Sequence, residues 1–199
     1  MLFRTILADL AAHIDRTKRS GWKFWLRAFL KLLVTPAMQV VVVYRFSAAL
    51  YQYPLTRPFS FLLRMFTIVW GSTEIHPDAK IGPGFCVVHS HKVVIGEGVV
   101  IGSNVRVSHG VSIGGDVGRA DVLGCPHIGD NVMLGVDCYV MGNVTVGDWA
   151  MIGAKALVIK DVPPYAVVAG IPAKVLRIAD PAEYETLLAG KTVSETGEA

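Results

Sequence analysis

Histidine is sparse in this chain, six in 199 residues, yet two of the six stand one residue apart: His89 and His91, in the stretch FCVVHSHKVVIGEGVVIG (85–102). His109 follows His89 by twenty residues in RVSHGVSIGG, and His127 follows eighteen later. An imidazole of ordinary pKa, about 6.5, exchanges a proton near neutral pH. It can therefore strip a hydroxyl of its proton during attack on a carbonyl, or serve as a metal ligand. Metal is the weaker reading, because Cys86, Cys125 and Cys138 show none of the paired ligand spacings. Three cysteines, an odd number, suit a reducing cytoplasmic setting rather than a disulfide framework.

What must position these histidines is a repeat. From Ile75 onward the chain beats every six residues: IHPDAK, IGPGFC, IGEGVV, IGSNVR, VSHGVS, then IGDNVM, LGVDCY, VMGNVT, VGDWAM, IGAKAL and VIKDVP. An aliphatic residue opens each unit, glycine usually follows, and the fifth position is mostly Val or Ala. Short flat strands joined by tight corners satisfy that pattern, with the first aliphatic of each unit stacked on its equivalent one coil away. Three units close a triangular coil, so the spacing predicts a mainly β chain, a parallel β-helix in which residues about 18 apart lie on top of each other. The repeat slips twice. Eight residues rather than six separate Val87 from Ile95, and GGDVGRADVLGCPH intervenes between Ile113 and Ile128 as a protruding loop over 114–127. Departures from a strict repeat are where function concentrates. Allowing for the first slip, His89 and His109 are one coil apart and expected to stack, with His127 third in a rough ladder.

The sequence before the repeat has a different texture. Residues 1–74 carry ten Lys/Arg against three Asp/Glu, a net +7, whereas residues 75–199 carry a net −4. FWLRAFLKLL places Phe24, Leu26, Phe29, Leu30 and Leu33 near one face, with Lys23, Arg27 and Lys31 opposite, and FSFLLRMFTIVWG repeats the theme. Basic amphipathic helices of this kind either lie on an anionic membrane surface or pack within an oligomer. Nucleic acid is not an expected partner, because the basic residues are diluted among apolar ones. No stretch here reaches the roughly 18–20 apolar residues of a spanning helix. The expected organisation is a helical basic segment over 1–73, a β-helix over 74–170, and a capping segment with a polar tail over 171–199. PAEYETLLAG within that last part reads as a short helix.

The hexads, the EIHPDAKIG lead-in, VIGEGVVIG after the histidines, the loop after SIGG and the closing VPPYAVVAGIPAKVLR together resemble the hexapeptide-repeat acetyltransferases, in particular serine acetyltransferases and their exopolysaccharide-modifying relatives. The resemblance spans roughly residues 74–177. It implies a left-handed winding, a homotrimer with active sites between protomers, and acetyl-CoA as donor with no metal. In serine acetyltransferases an acid just before the IHP motif pairs with a catalytic histidine just before VIGE. Here those positions are Glu74 and His89, the base and the group that would orient it. His109 would hold the acceptor hydroxyl or the thioester oxygen. The pantetheine arm would run near Gly114, Gly115, Val136 and Ala154, with amides near Gly114 and Gly115 facing the oxyanion. Lys155, Lys160, Lys174 and Arg177 would meet the phosphates. His91 is read as a corner residue.

The resemblance to the serine enzymes departs at the acceptor side. Those enzymes carry Asp immediately before the catalytic histidine, and an Arg-His pair before the proline that resumes the repeat. This sequence has Val88, Gly124 and Cys125. Losing such charge-assisted contacts costs about 2–5 kcal/mol. The expected acceptor is therefore a sugar hydroxyl of an exopolysaccharide or its lipid-linked precursor, handled in the cytoplasm with peripheral association at the inner membrane. GCPHIGD and His109 also look like the exopolysaccharide, colanic-acid type. The alternatives are serine O-acetylation, a zinc hydratase built on His89, His109 and His127, a covalent route through Cys125, and a non-catalytic β-helix scaffold.

Overall fold

The structure is a computed structural model that describes residues 2–14, 21–115 and 124–181. Residues 116–123 of the expected loop, nearly all of PAEYETLLAG and the polar tail lie outside the described residues. Four α-helices come first: α1 (Leu2–Ala12), α2 (Gly21–Val34), α3 (Pro36–Tyr51) and α4 (Arg57–Gly71). Coils of short strands follow. The first holds β1 (Thr73–Ile75), β2 (Lys80–Ile81) and β3 (Cys86–Val87), and the second β4 (Val93–Ile95), β5 (Val100–Ile101) and β6 (Arg106–Val107). The third holds β7 (Ser112–Gly114), β8 (His127–Ile128) and β9 (Met133–Leu134), and the fourth β10 (Tyr139–Met141), β11 (Thr145–Val146) and β12 (Met151–Ile152). Then β13 (Leu157–Val158) and β14 (Ala166–Ala169) complete the stack, and β15 (Lys174–Ile178) turns back against it.

Equivalent strands pair in parallel to make three faces. The first is β1-β4-β7-β10-β13, the second β2-β5-β8-β11, and the third β3-β6-β9-β12-β14-β15, with only β15 antiparallel. This is the parallel β-helix that the hexads predict, with the left-handed winding that the family resemblance implies. Its register puts the unit-opening aliphatics into three inward columns: Ile75, Ile95, Ile113, Val140 and Val158; Ile81, Ile101, Ile128 and Val146; Val87, Val107, Leu134, Ile152 and Val168. All are at most 9% exposed, so each coil buries its apolar face against the next. Both irregularities fall between strands, at the corner 88–92 and after β7, and leave the columns in phase.

The helices cap the first coil, and α3 does most of the work. Val40, Val41 and Tyr44 join the same core as the coil residues. Arg45 donates from Nε to Asp9 Oδ2 at 2.7 Å, and Asp9 Oδ1 in turn accepts from the Phe85 amide at 2.9 Å, so α1, α3 and the first coil share one buried ion pair. Pro36 begins α3, where its missing N–H costs nothing, and the chain bends by 92° between α2 and α3. Among the described residues no single helix is long and apolar enough to cross a membrane. The stripe expected on α2 is split: among the described side chains Phe24 and Ala28 face inward, against Ile14, while Trp25, Leu26, Phe29, Leu30 and Leu33 are exposed.

Candidate active site

The corner joining the third face to the first carries most of the residues expected to act. Its rungs are residues 88–92, 108–111, 135–138 and 153–156, tied by backbone bonds from Gly110 N to His91 O (2.9 Å), Asp137 N to His109 O (3.0 Å) and Lys155 N to Val136 O (2.8 Å). His89 and His109 stack on this edge with ring centroids 5.8 Å apart and planes at 63°. Val136, Ala154 and Lys155 continue the same line one and two rungs further on. One edge thus runs from the two imidazoles to the residues expected along a donor arm. The extra two residues of the corner put His89 outside the coil proper, where it is exposed to solvent and free to meet a substrate.

The corner is fastened from below. The Thr73 hydroxyl bonds to the Ser90 and Gly71 carbonyls, and the Lys92 amide donates to Ser72 O at 2.8 Å. Ser72 and Lys92 adopt left-handed conformations (φ 48° and 56°) that turn the chain sharply on each side. A side chain at Gly71 would come 2.3 Å from Val40 Cγ2, so glycine lets α4 end tight against α3 and bring Thr73 beneath Ser90.

Other expected residues are placed elsewhere. Glu74 lies in β1 beside Val94, and its carboxylate is bound to the Arg64 guanidinium of α4; among the described residues it makes no bond to His89. A guanidinium within reach offers the longer glutamate arm a full positive partner, and that competes with the imidazole. Gly114 and Gly115 lie at the other end of the first face, at the corner leading to the second, with Gly124 and Cys125 beside them. Cys125 Sγ donates to Glu97 O at 3.0 Å, and a side chain at Gly115 would sit 3.4 Å from Gly124 O. Within one chain these groups are a strand's length, roughly 10 Å, from the histidine edge. A Cβ at Gly114 would meet nothing within 4 Å, so that backbone is open to approach from outside. His127 leaves the ladder altogether: it opens β8 on the second face, exposed, between Val100 and Thr145. The three imidazoles of the zinc alternative do not converge, and among the described residues no three His, Cys, Asp or Glu side chains gather as metal ligands. Lys155 reaches Asp137 at 3.4 Å, while Lys160 and Lys174 are exposed.

Sequence reasoning missed one cluster. Cys86 and Arg106 face each other across β3 and β6, and His13 from the end of α1 covers them. His13 presents Nδ1 to Asp9 O at 2.8 Å and Nε2 to Val87 O at 3.1 Å. Two carbonyl acceptors, one at each ring nitrogen, are both satisfied only by the imidazolium. Burial works against that charge, but contact with Cys86 and the two carbonyls outweighs it and raises the His13 pKa. Burial likewise opposes the Cys86 thiolate, and His13 with Arg106 more than offsets it, lowering the thiol. The only signal in the sequence was that Cys86 occupies an outward position of its hexad.

Two family models match the chain, one for "bacterial transferase hexapeptide (six repeats)" over residues 125–160 and one for "hexapeptide repeat of succinyl-transferase" over residues 92–117. The serine acetyltransferase of Bacillus subtilis is 34% identical over 180 residues, covering 88% of this chain and 78% of that enzyme. Serine acetyltransferase 2 of Arabidopsis thaliana is 45% identical over 107 residues, 54% of this chain, and the match spans only 33% of the plant protein. Among solved structures, the Neisseria gonorrhoeae serine acetyltransferase in complex with serine superposes with a TM-score of 0.77 at 31% identity, covering 88% of this chain and 69% of that one. The Brucella abortus serine acetyltransferase in complex with coenzyme A does so at 0.78 and 28%, covering 88% and 68%. These matches correct the exopolysaccharide assignment, because the relatives that align along most of the chain act, by name, on serine.

Proposed function

The chain belongs to the serine acetyltransferase family of hexapeptide-repeat transferases, and from that premise we propose that it transfers the acetyl group of acetyl-CoA to the hydroxyl of serine. The observation that carries this reading is the edge on which His89 stacks against His109 and leads to Val136 and Ala154. His89 takes the proton of the serine hydroxyl as the oxygen attacks the thioester carbonyl. The tetrahedral intermediate collapses with loss of the coenzyme A thiolate, and the proton held by His89 is returned to that sulfur. His109, one rung away, hydrogen-bonds the reacting oxygen. Glu74 bears on the base only if Arg64 releases it. Val136, Ala154, Lys155 and Lys174 line the path for the donor, whose chemistry is that of an activated acyl thioester.

The same reading includes a homotrimer. Gly114, Gly115 and Cys125 stand on a different corner from His89, and a neighbouring prism packed against the first face would carry its own loop corner to that histidine. The exposed Val94 and Tyr139 on the outer side of this face supply apolar contact for it. The basic helical segment belongs to the reading too. The exposed apolar residues of α2 and α4, flanked by Arg27 and Arg57, rest on the anionic inner surface of a membrane. The decisive experiment follows thiol release from acetyl-CoA with serine as acceptor. His89→Ala is expected to lower turnover 10²–10⁴-fold while sedimentation still reports a trimer. Full activity in the variant would remove His89 from the chemistry, and a monomer in sedimentation of the wild type would remove the shared site.

A further inference from the structure

Beside the histidine edge lies a cavity of about 140 Å³ whose walls include His13, Lys31, Thr35, Cys86, Val88 and Arg106. That is close to the volume of a cavity that accommodates a benzene-sized molecule, about 150 Å³. Val88, just past the end of β3, immediately precedes His89 and lines the cavity together with Cys86 and Arg106. One wall of the cavity is thus the residue next to the group proposed as base.

Its chemistry is one-sided. His13 sets both ring nitrogens against carbonyl oxygens, at 2.8 and 3.1 Å, an arrangement that favours the imidazolium. Lys31 sets its ammonium against His13 O at 3.1 Å, and Arg106 stands over Cys86 on the neighbouring strand. Thr35, at the start of α3, makes no side-chain cap hydrogen bond, so its hydroxyl is not spent on the helix. No carboxylate lines the cavity. Three basic groups and a hydroxyl surround a small recess. The Cys86 thiol, drawn towards its charged form by His13 and Arg106, is the one acidic group there, which leaves the recess net positive and suited to an oxyanion. We propose that this cavity binds the anionic end of the acceptor, a carboxylate or a phosphate, and so sets which hydroxyl compound reaches His89. The proposal rests on the acetyltransferase reading for its function, though not for its binding. It also supplies the cationic contact that Gly124, standing where serine enzymes carry arginine, does not.

The test uses the full chain and two readouts. In the first, serine and serinamide, which lacks the carboxylate, are compared as acceptors of acetyl from acetyl-CoA. Wild type should favour serine, and Arg106→Gln or Lys31→Gln should raise the KM for serine about tenfold or more, leave the KM for acetyl-CoA unchanged and erase the preference; Arg106→Lys should restore part of it. In the second, alkylation of Cys86 by iodoacetamide is timed without addition, with serine, and with inorganic phosphate. An anion seated in the cavity should slow the reaction, and Arg106→Gln should abolish the protection. Protection by phosphate but not serine would assign the site to phosphate-bearing acceptors; the reverse would assign it to carboxylates. Serine turnover with neither variant altering the serine–serinamide ratio, and no protection of Cys86 by either anion, would overturn the proposal while leaving the acetyltransferase reading intact. Protection without turnover of serine would uphold the anion site and overturn serine as acceptor.

Discussion

Tyr44 donates its phenolic hydrogen to Ala79 O at 2.6 Å from a position only 3% exposed, and burial pushes its pKa up to about 12. A group whose folded pKa lies above its unfolded value of 10.0 stabilises the fold fully below pH 10 and loses that contribution as pH rises towards 12. Two units correspond to about 3 kcal/mol. Tyr44→Phe should therefore cost about 1–3 kcal/mol at pH 8 by leaving the Ala79 carbonyl unpaired, and the difference should shrink and then reverse as pH climbs from 10 towards 12. Denaturant titrations of both proteins at stepped pH measure it; a gap that stays constant with pH would show that Tyr44 does not titrate there. At this scale the sequence was partly legible. The stacking of His89 on His109 could be read because a solenoid converts sequence distance into height. The Glu74–Arg64 pair could not, since the arginine arrives from a helix the repeat says nothing about. Nor could the anion cavity, whose His13, Lys31, Cys86 and Arg106 come from four elements.

Among the elements, the strands were the easier half. Period six fixes which side chain faces inward, and backbone bonds between coils do the rest, so all three columns follow from the hexads. The helices resisted because amphipathicity names an apolar face without saying what it meets. Leu26, Phe29 and Leu33 of α2 form an apolar face in the sequence and lie exposed in the chain, while the docking of α1 depends on a charge, Asp9. Removing that carboxylate strands the Arg45 guanidinium, itself 6% exposed, and frees the Phe85 amide. Asp9→Ala should lose about 3–5 kcal/mol, with hydrogen exchange rising first in α1 and at Phe85. If the lost protection were instead spread evenly over the β-helix, the pair would not be what joins cap to coil.

Over the whole molecule, charge and apolar exposure are polarised. Residues 1–74 carry +7, and Trp22, Trp25, Phe29 and Leu33 project from one short helix near Arg27 and Lys31. In flotation with vesicles of phosphatidylglycerol and phosphatidylcholine at low salt, the wild type should rise with the lipid and sink with pure phosphatidylcholine. Trp25→Glu combined with Phe29→Glu should stay at the bottom with both. Equal sedimentation of wild type and variant from anionic vesicles would assign the α2 face to protein contacts instead. The far end of the prism has a different task. A stack of parallel strands is an open template, and its last rung invites any unpaired strand to add on, including one from another copy. Here β15 doubles back antiparallel on β14, and a strand running in the wrong direction is a poor seed for further turns of the same winding. The hexads, left to themselves, would have no reason to stop; on the third face one reversal closes the edge on which a further turn would grow.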